Sequence, residues 1–345
     1  MHGGRLLPGL ALVGAVATLG MVGASHRGGT VAGDPLVLAL LIGMAIRSLA
    51  RLPEATAVGI EFAGTRLLEV AVVLLGVGVD LPLLLRAGPK LLVGIVGVVV
   101  LALGMGYAIG RAVGLPPRLA LLVATGNAIC GNSAIAAVTP VIGASREDVV
   151  SAIAGTALLG VPMVLALPYL AGPLDMNEYQ FGVVVGLTVY AVPQVLAAAM
   201  PVGTVAAQVG TLVKLVRVLL LGPIIIGIAA WQRRTRRSAI MSARRVTPQD
   251  TGDSAVAPSR LLPWFLTGFL LLGACRSLGL LPARVADPLR WIASQLTLLA
   301  MAALGLGVDI RRLRTIGPRL LLAVTGALLL LATLGTLLAR WGITA

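Results

Sequence analysis

In the middle of an apolar stretch the chain reads Thr125-Gly126-Asn127-Ala128-Ile129-Cys130-Gly131-Asn132-Ser133. Glycines and short polar side chains weaken a helix at such a place, and a helix broken within lipid exposes N–H groups on one half and carbonyls on the other. The N–H end suits an anion and the carbonyl end a cation. A second interruption is expected at Thr188-Val-Tyr190-Ala-Val-Pro193-Gln194, where the proline removes a hydrogen bond and frees a carbonyl one turn earlier. The run Ser133-Ala-Ile-Ala-Ala-Val-Thr-Pro140-Val141 also resembles Gln194-Val-Leu-Ala-Ala-Ala-Met-Pro201-Val202. Small and polar residues also let membrane helices pack closely, but two amides beside two glycines exceed that need. Asn127, Cys130, Gly131, Asn132, Ser133, Tyr190 and Gln194 are therefore the candidate substrate-binding residues.

Three charged residues in apolar surroundings are candidate ion or charge partners. Glu69 lies within an apolar span, at a cost of about 2.5–3.5 kcal/mol at the bilayer centre, and Arg66 one turn away favours a local ion pair. Lys214 and Arg217 are one turn apart, and two readings stay open for them: attraction of an anion, or anchoring by snorkelling. The histidines are His2 and His26 and the cysteines Cys130 and Cys275, so neither a metal-ligand cluster nor a nucleophile–base pair is visible. No catalytic residue, metal or cofactor is expected, and the chain does not read as an enzyme.

The elements that carry these residues follow from composition. Of 345 residues, 58% are hydrophobic and 12% charged, which excludes an ordinary soluble domain. Lipid-exposed backbone must be helical or part of a closed barrel, and the long uncharged runs lack the alternation of barrel strands. An all-α polytopic membrane protein is expected, with about eleven transmembrane helices near 6–24, 34–51, 60–79, 90–111, 118–142, 149–171, 180–202, 209–231, 261–280, 288–309 and 318–340. The first run exceeds the core of a signal peptide and reads as a retained helix.

The net charge of +14 reflects arginines gathered in loops rather than nucleic-acid binding, since aromatics make up only 3% of the chain. Arg233, Arg234, Arg236, Arg237, Arg244 and Arg245, followed by the polar segment Thr247 to Ser259, mark a mobile cytoplasmic loop. It divides the chain into helices 1 to 8 (1–231), the loop (232–260) and helices 9 to 11 (261–345). Counting outward from it puts the amino terminus in the cytoplasm.

Gly76-Val-Gly78-Val-Asp80 followed by Gly88-Pro89-Lys90 recurs as Gly305-Leu-Gly307-Val-Asp309 followed by Gly317-Pro318-Arg319. In this topology the two copies are inverted in the membrane, the arrangement of many secondary transporters.

On GNAICGNSAIAAVTPVIGA at 126–144, GTLVKLVRVLLLGP at 210–223, PWFLTGFLLL at 263–272 and AALGLGVDIRRL at 302–313, the chain resembles the YeiH-like family, which carries a sulfate-exporter label. The family is similar in fold to sodium/bile-acid symporters and sodium/proton antiporters. The resemblance implies a core with two crossing broken helices beside a panel of intact ones, alternating access between them, and a place in the bacterial inner membrane. The family pattern has Thr and Ala where this chain has Asn127 and Asn132. It has a His and an acidic residue where this chain has Tyr190 and Ala191, while Gln194 is retained. The proton-carrying pair of the family is thus absent from those positions.

The expected function is secondary active transport of a small anion, sulfate or a sulfonate by family resemblance. A sodium- or proton-coupled carrier of another small organic solute is the alternative. Expected partners are the anionic substrate, a coupling ion (sodium or proton), the lipid bilayer and, as an assembly option, a second copy in a homodimer; nucleic acid is not expected.

Overall fold

The structure, a computed structural model, describes residues 6–25, 34–78, 88–242, 264–309, 311 and 317–342. The regular elements among them are all helical. In order they are α1 (Leu7–Ser25), α2 (Pro35–Leu49), α3 (Glu54–Phe62) continuing through a π turn (Ala63–Leu67) into α4 (Leu68–Leu75), α5 (Gly88–Ala112), α6 (Pro117–Ala128), α7 (Asn132–Ile142), α8 (Arg146–Ala166), α9 (Glu178–Thr188), α10 (Val192–Ala199), α11 (Thr204–Leu219), α12 (Leu221–Ser242), α13 (Trp264–Ser277), α14 (Ala283–Gly307) and α15 (Pro318–Leu337).

Local chemistry sets the helix starts and stops. Asp34 caps α2 by accepting from the Leu36 amide at 2.8 Å. Reciprocal capping boxes start α8 (Ser145 with Asp148) and α9 (Asn177 with Gln180). The third span begins at Glu54, six residues before the expected start, because Pro53 leaves the chain extended and α3 begins directly after it. At the other boundary, residues 232–242, expected at the head of the cytoplasmic loop, continue α12 to Ser242. Asp80 and the polar segment 247–259 lie outside the described residues.

Among the described residues six helices are long and apolar enough to cross a membrane: Leu7–Ser25, Pro89–Ala112, Arg146–Leu170, Thr204–Gln232, Ala283–Gly307 and Pro318–Trp341. Each needs roughly 20 residues at 1.5 Å rise to span about 30 Å of hydrocarbon. The segments 117–142 and 178–199 are instead split into half-helices, as the polar run and the Pro193 motif predict.

The helices fall into two bundles. α2 packs along α14, with α1, α3, α4 and α13 around that pair. α9 packs along α11, α5 along α6, and α15 contacts α5, α6, α8 and α9. The backbone approach between the bundles is made by α10, which comes against α2 and α14. Val192 at its start is buried in a cluster with Val72, Leu215, Val218 and Phe269. A short broken-helix half thus lies in the seam between the two bundles, beside Leu215 and Val218 of α11.

Candidate functional site

The two breaks meet. α6 stops where Ile129 leaves helical geometry at φ −117°, ψ −85°, and Gly131 then takes φ +67°, ψ −123°, a conformation that side chains with a Cβ rarely adopt. α9 stops at Thr188, and Val189 and Ala191 are extended before Pro193 reopens a helix in α10. A Cβ placed on Gly131 would lie 3.3 Å from that of Tyr190. The Tyr190 hydroxyl donates to Asn127 Oδ1, tying one break to the other.

Behind the breaks stand two cations of α11. Lys214 and Arg217 are 1% and 0% exposed, so neither reaches the membrane surface or the cavity described below. Lys214 Nζ donates to Ile129 O at 2.6 Å. Arg217 donates through Nε to Ala128 O at 3.1 Å and through Nη2 to Asn127 O at 2.8 Å. Its Nη1 reaches Gly186 O at 2.8 Å and Val189 O at 3.2 Å. The carbonyl ends of α6 and α9, each carrying partial negative charge, are thereby occupied. Close packing makes this reach available: a Cβ on Gly186 would sit 2.5 Å from Gly210 O, so only glycine lets α9 lie this near α11.

In front of the breaks lies a cavity of about 590 Å³ between the bundles. Its rear wall is the start of α7 and α10: Cys130, Gly131, Asn132, Ser133, Tyr190, Ala191 and Gln194. The first N–H groups of a helix have no intrahelical acceptor, so the start of α7, and that of α10 apart from Pro193, which has no N–H, turns positive dipole ends to this wall. Asn132 Oδ1 lies 3.2 Å from Thr156 Oγ1, whose one proton also has Ala152 O within reach at 3.0 Å, so the two polar side chains meet at this wall. The front wall comes from α2, α3, the π turn and α14, and includes Arg47, Glu54, Glu61 and Thr65. Arg47 also lines an adjoining cavity of about 390 Å³ with Arg51, Asp309 and Arg311, so the mouth carries a basic rim.

Six of the seven sequence candidates for substrate binding line the cavity; Asn127 is the exception, 1% exposed and one layer behind, with Nδ2 lacking a hydrogen-bond partner. Glu69 does not line it. That carboxylate pairs with Arg66 at 3.0 Å, as the one-turn spacing suggests, and accepts from Trp264 Nε1 at 3.0 Å. The sequence reading passed over Arg47, Glu54, Glu61 and Thr156 as site residues. A signal was present: Glu54 and Glu61 are seven apart, two helical turns on one face of α3.

Two bundles, paired half-helices and a cavity between them define a multi-pass α-helical membrane protein with an internal cavity. Residues 8–324 match the family model described as Conserved hypothetical protein 698, and the chain belongs to that family. It is 46% identical to a UPF0324 membrane protein of Bradyrhizobium diazoefficiens over 89% of this chain and 84% of the relative. It is also 46% identical to one of Agrobacterium fabrum over 95% and 91%, and 33% identical to one of Bacillus cereus over 88% and 82%. No solved structure matches.

Proposed function

We propose that the protein is a secondary active transporter of a small anion, sulfate or sulfonate in kind, working by alternating access and not an enzyme. The observation that carries this reading is an asymmetry at the breaks. The carbonyl ends of α6 and α9 are filled by Lys214 and Arg217, while the N–H ends of α7 and α10 open into the cavity. A cation carrier would need open carbonyls, whereas an anion needs the open donors. Pairwise packing of equivalent elements supports inverted repeats: α4 lies on α14 and α5 on α15, the helices joined by the two Gly-Pro motifs. On this reading the chain has eleven spans, two crossing broken helices, a cytoplasmic amino terminus and a place in the bacterial inner membrane.

The test is thermal unfolding of the detergent-purified protein against sulfate, sulfite, sulfonates, carboxylates and sodium at two pH values. A ligand bound only by the folded state raises its stability by about 2.7 kcal/mol at a hundred times its Kd. One class of anion should raise the melting temperature with dose, and Asn132→Leu should abolish that response without impairing membrane insertion. A response to sodium or a neutral solute, with none to any anion, would replace this reading by a coupled carrier of another solute.

A further inference from the structure

We infer that the anion is held by the backbone N–H groups of Cys130 and Tyr190, and that Lys214 and Arg217, behind the same two peptides, supply its counter-charge. The inference deepens the anion reading above and rests on it. The two cations take five carbonyl oxygens: Lys214 that of Ile129, and Arg217 those of Asn127, Ala128, Gly186 and Val189. Each carbonyl shares a peptide plane with the N–H of the next residue, and in a trans peptide the two groups point in opposite directions. Three of those N–H groups are spent inside the protein: Ala128 and Leu187 lie within α6 and α9, and the Ile129 amide donates to Thr125 O at 3.1 Å. The other two, of Cys130 and Tyr190, lie outside the helices and donate to no acceptor among the described residues. Of these five residues, Cys130 and Tyr190 are also the ones that line the cavity.

Charge balance points the same way. Lys214 and Arg217 are 1% and 0% exposed, and neither is in an ion pair among the described residues, where Arg66, Arg290 and Arg311 each meet a carboxylate. Burying one charge is expensive, and two like charges one turn apart more so, unless negative charge lies near. Carbonyl dipoles meet part of that need. An anion on the N–H side of the Ile129–Cys130 and Val189–Tyr190 peptides meets the rest, one peptide away from each cation and touching neither. Hydrogen bonds in such a chain, from cation to carbonyl and from N–H to anion, strengthen one another. The two breaks touch beside these peptides, since a Cβ built on Gly131 would lie 3.3 Å from that of Tyr190, so one small anion can bridge them. Lys214 and Arg217 are thus positioning residues that act through the backbone.

Each donor can be followed alone, because the chain has one Ile–Cys and one Val–Tyr peptide. Full-length detergent-purified protein, isotope-labelled at the isoleucine carbonyl carbon and the cysteine nitrogen, gives a single NMR amide signal, that of Cys130. Valine and tyrosine labels do the same for Tyr190. Sulfate, methanesulfonate and acetate are the probes, and the one that raises the melting temperature is titrated. Both amide protons should move downfield and saturate together with the thermal response. Lys214→Gln removes the charge but retains a donor, and it should weaken anion binding at least tenfold. Should that variant not be recovered folded, the two wild-type amide signals decide alone. A rise in melting temperature with either amide unmoved overturns the inference and leaves the anion reading standing. Binding to Lys214→Gln as tight as to the wild type overturns it as well, because the lysine charge would then serve structure only. No thermal response to these or any other anion sinks both readings.

Discussion

Arg217 shows how a buried charge is held without a carboxylate. Its guanidinium meets four carbonyl oxygens, from Asn127, Ala128, Gly186 and Val189, and so closes the ends of two helices at once. Lysine has the charge but not the planar fork, and a single ammonium does not span acceptors that lie on two different half-helices. Each carbonyl left unpaired in this interior costs about 1–3 kcal/mol. Arg217→Lys should therefore lower stability by about 2–4 kcal/mol and weaken the thermal response to ligand, read as a lower melting temperature of the purified protein. An unchanged melting temperature would mean that the breaks hold their geometry without it. At the same scale, the sequence disclosed which residues are polar at depth but not which way they face. Lys214 and Arg217 left open a choice between anion attraction and snorkelling, and the structure buries both against backbone oxygens. Their partners are backbone oxygens 28 to 90 residues away in the chain, a relation with no local signature.

Among elements, the break between α6 and α7 was legible because its cause is local. Gly131 is in place for its backbone, at φ +67°, and its own amide donates to Gly126 O at 2.8 Å to close the end of α6. The Pro193 break is local in the same way, since a proline with an extended residue before it starts a helix. The π turn between α3 and α4 was not read from the sequence, although Gly64 lies in it and the Thr65 hydroxyl donates back to Glu61 O at 2.7 Å. α3 and α4 lie against α14 on one side and the cavity on the other, so the extra residue shifts which face meets the cavity. For Gly131→Ala the backbone strain is about 1–3 kcal/mol, and the added methyl presses on the Tyr190 Cβ at 3.3 Å. The variant should insert into membranes, melt at lower temperature and lose ligand response in the assay that reads Asn132→Leu. Wild-type ligand response would show that the rear wall tolerates a different turn.

For the molecule as a whole, the question is whether the cavity is fixed or alternates between the two faces of the membrane. α2 packs most extensively with α14 and α9 with α11, and the seam between the bundles is made by the eight-residue α10 together with Leu215 and Val218 of α11. Movement of one bundle against the other about that contact would close the mouth lined by Arg47 and Glu54 and open the rear wall to the opposite side. A cavity that closes in this way must expose Ser133 alternately. The prediction uses a Cys130→Ser, Cys275→Ser background carrying Ser133→Cys and a membrane-impermeant thiol reagent. Labelling should occur from the cytoplasmic face in inverted vesicles and from the outer face in intact cells, and a bound anion should slow both by an order of magnitude. Labelling confined to one face, whatever anion is present, would describe a static vestibule and remove alternating access. The half-helix ends would then belong to a binding protein or a channel instead of a carrier. Because the reagent reports solvent access and not stability, this result is independent of the melting-temperature predictions for Arg217 and Gly131.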